Sequence, residues 1–347
     1  MTLINSQRAF GPFVLSIDEV RPFLLNSNLK ESELVKCIAD MSMKFTVKRD
    51  KIQEYVHDEN TVSAYAAFYL PTNIPKLHFL LSKLTNDTLD DLIKRPFIDV
   101  GCGPGTFSLA MSLLFEKTPP EIIAIDSSKL MLDQTKKMLE GFFPSANLMS
   151  TQKFHQKKTD GVLFFGHSIN EMGATKALDL IATIDPEYVL WIEPATSEFF
   201  VELKKMRESL TSHFDILYPC PSNEACPSSW CHQVLRTTHD LSLERISQLV
   251  SLDRKILPIA TMVMRRKQTA NEINSAVTTR YLNETKFSFE YEVCMNENGE
   301  NKNRVIEIQK RQLSREEEKF FKNSNVGERV DFDVEKLIGE KLRVKLK

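Results

Sequence analysis

The chain has 347 residues, 42% of them hydrophobic and 27% charged, with a formal net charge of −2. That is an ordinary globular balance, and it gives no overall case for a polyanion as partner. No stretch approaches the roughly 18 apolar residues that span a bilayer. Residues 1–17 lack the charged start and apolar block of a secretory signal, and also the Arg- and Ser-rich character of a transit peptide. The expectation is a soluble intracellular protein without a membrane partner. In a reducing compartment the six cysteines point to metal binding or catalysis before disulfides. Residues 251–347 hold 20 Lys and Arg against 16 Asp and Glu, so this third carries +4 and the remainder −6. A basic third of this kind could meet a phosphate backbone, although the excess is small enough for a solvated surface.

Residues 17–94 read as a helical N-terminal unit (1–94). Apolar residues recur at three- and four-residue spacings in Leu34, Ile38, Met41 and Phe45, and again in Leu77, Leu80, Leu81 and Leu84. Pro71 and Pro75 are expected to break this region into separate pieces. From Pro96 onward short apolar runs alternate with helical stretches. The runs are Phe97-Ile98-Asp99-Val100, Ile122-Ile123-Ala124-Ile125, Gly161-Val162-Leu163-Phe164-Phe165 and Tyr188-Val189-Leu190-Trp191-Ile192. Amphipathic stretches such as 108–116 and 129–140 lie between them. Such alternation predicts an α/β domain with a parallel sheet covered on both faces, here over residues 95–295. A Cys- and Pro-rich segment (218–232) interrupts it. Further strands are expected at 256–264, 287–294 and 305–309, and more near Val330 and Leu342 in a small, basic, β-rich extension (296–347).

The loop Gly101-Cys102-Gly103-Pro104-Gly105-Thr106 joins the first strand to a helix. Glycines let a backbone turn tightly and approach a ligand, and the helix N-terminus offers free N–H groups. A dinucleotide loop wants glycine at its first, third and sixth positions. Here they fall at the first, third and fifth, and Asp99 stands two residues ahead. Both features resemble the first motif of class I methyltransferases, whose acidic residue helps anchor the methionine part of S-adenosylmethionine. Asp126, at the end of the next strand, stands where an acid takes ribose hydroxyls in related folds, or else caps the helix that follows. The candidate cofactor residues are thus Asp99, Gly101, Gly103, Gly105 and Asp126. Cys102 reads as a packing residue rather than a nucleophile.

Cys220-Pro221, Cys226-Pro227 and Trp230-Cys231-His232 lie close together, and Cys294 stands on a later strand. Three thiolates on one loop and a fourth from a distant strand can close a tetrahedral metal site. Intervals of five and four residues suit zinc pairs less well than an iron–sulfur group, and Cys-Pro steps occur in iron–sulfur runs. The segment is too polar to bury three thiols by itself. His232 and His239 could each replace a cysteine, but four ligands are complete without them.

These residues together resemble the methyltransferase-like proteins of the small ribosomal subunit, found in bacteria and mitochondria. The resemblance spans roughly Tyr65 to Arg311. Besides the glycine loop and the cysteine series, it includes Ala64-Tyr65-Ala66-Ala67 leading to Leu70-Pro71, His167-Ser168-Ile169-Asn170-Glu171-Met172, Trp191-Ile192-Glu193-Pro194 with Arg207, and Gln309-Lys310-Arg311. It implies a class I, Rossmann-like methyltransferase domain and a four-iron four-sulfur cluster on Cys220, Cys226, Cys231 and Cys294, with zinc as the alternative. It also implies action in assembly or translation of the small ribosomal subunit, with rRNA as a partner and the free protein a monomer. Family members in mitochondria are generally longer and carry a targeting segment, so a bacterial cytoplasmic protein is expected, with the mitochondrial matrix as the alternative. The family's usual Glu-Pro-Gly is here Glu193-Pro194-Ala195.

No catalytic constellation stands out. Enzymes acting on exocyclic base amines carry an Asn- or Asp-Pro-Pro-aromatic stretch after the fourth strand, and 167–172 has no proline. Asn170 and Glu171 are the residues there that could touch substrate or cofactor. Three readings remain: an S-adenosylmethionine-dependent rRNA methyltransferase, a non-catalytic assembly factor that keeps the pocket, and a zinc-bearing small-molecule methyltransferase.

Overall fold

The computed structural model describes residues 14–46, 58–267, 275–323 and 326–347. Its first sheet runs β1 (Phe97–Val100), β2 (Ile122–Ile125), β3 (Leu148–Thr151), β4 (Val162–Gly166), β5 (Tyr188–Pro194), β6 (Phe214–Tyr218), β7 (Gln233–Arg236) and β8 (Ile256–Arg266). The spatial order is β3-β2-β1-β4-β5-β8-β6, with β7 also paired to β8. The five strands from β3 to β5 are parallel, as the continuous apolar runs predict for strands covered on both faces. Strand β8 then pairs antiparallel with β5, β6 and β7. Strand β3 was not expected: Leu148-Met149-Ser150-Thr151 sits at an edge, is half exposed, and lacks an apolar run. Among the described residues, no helix is long and apolar enough to cross a membrane.

The helices of this part are α1 (Ile17–Val20), α2 (Glu31–Thr46), α3 (Glu59–Leu81), α4 (Asn86–Leu92), α5 (Thr106–Phe115), α6 (Lys129–Phe142), α7 (Ile169–Met172), α8 (Ala174–Ile184), α9 (Ser197–Leu210) and α10 (Leu241–Leu249). Helix α3 corrects the expectation at Pro71 and Pro75, since it runs unbroken through both. Proline removes a backbone donor and normally kinks or ends a helix. Pro71 and Pro75 deprive the Ala67 and Pro71 carbonyls of their usual amides; the Thr72 hydroxyl donates to the neighbouring Phe68 carbonyl at 2.9 Å, and packing on all sides holds the helix. A helix buried all round has no amphipathic stripe, and α3 lies against α5, α6 and the first sheet in one continuous core.

A second sheet follows: β9 (Ala276–Glu284), β10 (Ser288–Glu297), β11 (Glu300–Gln309), β12 (Arg329–Val330), β13 (Phe332–Ile338) and β14 (Lys341–Leu346), with α11 (Arg315–Lys322) over one face. Its order is β12-β9-β10-β11-β14-β13. Strand β9 and most of β10 precede residue 296, so the sheet that was expected to begin there begins at Ala276. The second sheet is tied to the first by the Tyr218 hydroxyl on the Gly327 carbonyl at 2.7 Å and by Arg329 on the Leu217 carbonyl, and to the segment just past α3 by a Lys83–Glu328 ion pair at 2.5 Å.

Candidate functional site

The order β3-β2-β1-β4-β5 reverses direction between β1 and β4, and open α/β sheets bind ligands in the crevice at that point, beyond the carboxyl ends of the strands. The glycine loop leaves β1 there. Gly101 and Cys102 donate to the Ile125 carbonyl at 2.8 and 3.0 Å, so the loop is tied to the end of β2. All three glycines are left-handed, with φ of 68°, 55° and 84°. They differ in what surrounds them. A side chain on Gly101 would meet Ser168 Cβ at 2.5 Å, and one on Gly105 would meet Thr135 Cγ2 at 2.9 Å. One on Gly103 would meet nothing within 4 Å. Gly101 and Gly105 therefore serve the packing of the loop, whereas Gly103 has open space beside its Cα, its amide held by Asp126 and its carbonyl by the Thr135 hydroxyl.

The two acids divide the same way. Asp99 is fully buried and its Oδ2 accepts from the Ser108 amide and hydroxyl at 3.1 and 2.7 Å, which pins the first turn of α5. Its Oδ1 is buried with no hydrogen-bond partner. Burial pushes its carboxyl up to about 7 against the pull of Ser108. Asp126 accepts from the Gly103 amide at 2.9 Å and the Ser128 amide at 2.8 Å, so it braces the loop and also caps the turn into α6. Cys102 packs with Ala124 and Leu132.

Beyond β4, Asn170 and Glu171 are exposed on α7. The backbone amides of Ser168, Ile169 and Asn170 all point at the carboxylate of Glu193, at 2.9, 2.8 and 3.4 Å, so this buried acid holds the turn. Burial raises Glu193 to about 8. The Glu171 carboxyl, though its side chain is exposed, is raised to about 7 by desolvation and by the charge of Asp126. Burial first, and then the charges of Glu171 and Asp126 among others, raise the phenol of Tyr65 on α3. The sequence reading named Tyr65, His167 and Glu193 in matched stretches without a role, and missed Lys76 and Arg254, which join them at the back.

The cysteine site lies beyond β5 and β6. Cys220, Cys226 and Cys231 line a cavity of about 40 Å³ with Trp191 and Arg207, more than the roughly 10–15 Å³ a single water needs. Cys294 comes from β10, opposite Asn303 of β11. The Asn301 and Asn303 side chains bond the loop at the Glu224 carbonyl and Ser228 hydroxyl, at 2.8 and 3.2 Å. Arg207 is 3% exposed and donates through Nη2 to the Ser222 and Glu224 carbonyls at 2.9 and 2.6 Å. Its Nε and Nη1 have no partner of ordinary geometry, while its charge lowers both Cys220 and Cys294. Burial pushes the Cys231 thiol well up, and the charges of Cys220, Cys226 and Cys294 add to it. Cys294 is pushed up to about 12, first by burial and then by Cys220 and Cys226. The four thiols thus share one electrostatic neighbourhood. The two histidines have partners of their own: His232 stacks on Trp230 with centroids 4.4 Å apart, and His239 Nε2 meets the Arg254 carbonyl at 2.8 Å. Among the described residues, no group of three or more His, Cys, Asp or Glu side chains is arranged to hold a metal ion, and the described cysteines are all free. Four soft thiols beside a buried, half-partnered guanidinium are, by their chemistry, donors that could hold an anionic metal–sulfur group.

Fold and crevice define a Rossmann-like α/β protein with a second β-sheet. Residues 59–257, more than half of the chain, match the family described as mitochondrial small ribosomal subunit Rsm22, and the chain belongs to that family. The match includes the glycine loop and Cys220, Cys226 and Cys231, and stops short of Cys294. No curated protein sequence matches the chain. Solved structures similar to it include an RNA methyltransferase candidate from Pyrococcus horikoshii (13% identity, 57% of this chain and 86% of that one, TM-score 0.38). A second is a protein from Thermoplasma acidophilum (14%, 68% and 97%, 0.34). A third is an S-adenosylmethionine-dependent methyltransferase from Thiobacillus denitrificans, solved with S-adenosyl-L-homocysteine (13%, 56% and 97%, 0.32).

Proposed function

We propose that the chain is an S-adenosylmethionine-binding, methyltransferase-like protein that acts on the small ribosomal subunit, with rRNA as the macromolecular partner. The observation that carries the cofactor reading is the switch-point loop. Gly103 borders open space and is held by Asp126, in a loop that leads into the start of α5. Family membership supports the ribosomal partner. In this reading Gly101 and Gly105 shape the loop, Asp126 braces it near the ribose position, and the unpaired Oδ1 of Asp99 is the anchor left for the cofactor.

Cys220, Cys226, Cys231 and Cys294 would hold a four-iron four-sulfur cluster, with Arg207 balancing its charge. Such a group supplies soft metal–thiolate bonds that clamp a polar loop to a distant strand. A single zinc ion is the other occupant of this donor set, and it needs thiolates only about 3.8 Å apart around one centre.

A non-catalytic assembly factor that retains the pocket is favoured by one feature: among the described residues, no hydrogen bond orients the side chains of Asn170 and Glu171 on the surface of α7. Both readings meet the same first experiment. Anaerobically purified protein is assayed for iron and acid-labile sulfide, for S-adenosylmethionine binding by calorimetry, and for co-sedimentation with small ribosomal subunits. About four irons per chain, saturable binding and co-sedimentation are expected. A zinc-loaded or metal-free protein would overturn the cluster, and absence of cofactor binding would overturn the methyltransferase-like reading. Methyl transfer to subunit rRNA then separates enzyme from assembly factor.

A further inference from the structure

The back of the crevice carries charge that the cofactor reading leaves unused. Lys76 comes from the middle of α3, is 5% exposed, and brings its Nζ within 2.7 Å of His167 Nε2 at the end of β4. Arg254, from the turn before β8, reaches the same helix. Its Nη2 donates to Asn73 Oδ1 at 2.6 Å and its Cζ lies 5.6 Å from the Tyr69 ring centroid. Its Nε is buried without a partner. The acid that acts on Lys76 is Glu193, and the Glu193 oxygens are already taken by three backbone amides. Around Arg254, the groups that favour its charge are the Tyr69 and Tyr65 phenols rather than a carboxylate.

Three basic side chains therefore meet behind the glycine loop with one engaged carboxylate among the described residues. Withdrawing a cation from water is costly unless an opposite charge meets it. Burial, then Arg254, hold the Lys76 ammonium well below its ordinary value, and burial, then Lys76, do the same to His167. Such competition for protons is relieved when an anion arrives. Asn73, which holds Arg254, stands one turn before Lys76 on α3, and lysine and arginine donors placed side by side match the oxygens of a carboxylate or phosphate.

We propose that Lys76, Arg254 and His167 form an oxyanion subsite at the back of the crevice, which takes a carboxylate or phosphate group of a ligand lying over the glycine loop. Two sources share that chemistry: the carboxylate of S-adenosylmethionine itself, and a phosphate of the second ligand. The first rests on the cofactor reading, and the second does not.

The test compares wild type with Lys76→Met and Arg254→Gln. Melting temperature is read with and without inorganic phosphate at constant ionic strength, against chloride. Affinity is read by calorimetry for S-adenosylmethionine and for 5′-methylthioadenosine, which lacks the amino-acid carboxylate. Phosphate should protect the wild type more than either variant; comparing the three proteins cancels its general salting effect. Lys76→Met, which removes a buried amine whose charged form burial disfavours, should melt no lower than wild type without phosphate. If the cofactor carboxylate is the source, both variants bind S-adenosylmethionine roughly tenfold or more weakly and 5′-methylthioadenosine as before. If it is a second ligand's phosphate, cofactor affinity stays and only phosphate protection is lost. Equal protection of all three proteins with unchanged cofactor affinity would overturn the subsite, as would a wild type that phosphate does not protect and whose cofactor affinity the variants leave alone. A wild type that phosphate protects but that binds no S-adenosylmethionine would sink the cofactor reading and leave the subsite standing. Should Arg254→Gln fail to fold, Lys76→Met decides alone, with Lys76→Arg expected to keep the phosphate response.

Discussion

Two alanines placed two residues apart in the glycine loop should do opposite things. Both Gly101→Ala and Gly103→Ala put a side chain on a left-handed backbone, with φ of 68° and 55°, at a cost of about 1–2 kcal/mol each. At Gly101 the new Cβ also falls 2.5 Å from Ser168 Cβ, a buried atom fixed to its own backbone, so something must shift. Overpacking of that kind adds about 1–3 kcal/mol. Gly101→Ala should thus lose about 2–5 kcal/mol in all, and Gly103→Ala only the first part. Binding should rank them the other way. The Cβ on Gly103 enters the space assigned to the cofactor, where losing even one close approach worth about 1.4 kcal/mol weakens affinity tenfold. Urea unfolding measures the first quantity and calorimetric titration with S-adenosylmethionine the second. If Gly103→Ala binds the cofactor as wild type does, Gly103 does not face the ligand. If the two variants are equally stable, the crowding at Ser168 has been misjudged.

Other perturbations probe the remaining assignments. Cys226→Ser and Cys294→Ser should each lower iron content, soluble yield and melting temperature, because one thiol on the loop and one on β10 would lose the same group; unchanged melting in both would show that no metal site is shared. Asp99 is raised to about 7 in the folded chain by burial, so it keeps a proton that the unfolded chain has released. Its contribution to stability is therefore lost as pH rises from about 4 to about 7, and Asp99→Asn should flatten that fall in denaturation midpoints without cofactor. An unchanged pH profile would mean that the fall belongs to Glu193 and Glu171 instead. Lys83→Met should destabilise by about 3–5 kcal/mol in urea unfolding, since it strands Glu328 against the segment just past α3. A loss below about 1 kcal/mol would place that pair in effective contact with water.

What the sequence shows of this fold follows from how each element is buried. The runs at Phe97, Ile122, Val162 and Tyr188 are legible because strands covered on both faces must be apolar throughout. The edge strand at Leu148 and the β6 strand at Phe214 alternate or stand half exposed, and nothing local separates them from loop. The two prolines of α3 mislead for a different reason. Their local rule holds for a helix that water can enter, whereas α3 is enclosed by α2, α5 and α6 and has tertiary packing to hold it.

The site is legible to the same degree and for the same cause. Spacing alone picks out Gly101, Gly103, Gly105 and Asp126, because a tight turn and an acid at a strand end are local demands. It does not show that Gly103 alone of the three has open space beside its Cα, since that depends on Ser168 and Thr135 arriving from elsewhere in the chain. Lys76 is the sharper case. A lysine in a helix ordinarily marks the solvent side, and its neighbours Pro75 and Leu77 say nothing to the contrary. Only the fold shows that Lys76 points inward, onto a histidine 91 residues later and near an arginine later still. A charge in that position is destabilising in the empty protein and becomes favourable only when an anion shares the crevice. The stability of Lys76→Met without ligand therefore carries more weight than any contact distance. A free-protein melting temperature at or above wild type would mean that the lysine is kept for binding, whereas a large loss would return it, with His167, to the framework that holds the end of β4.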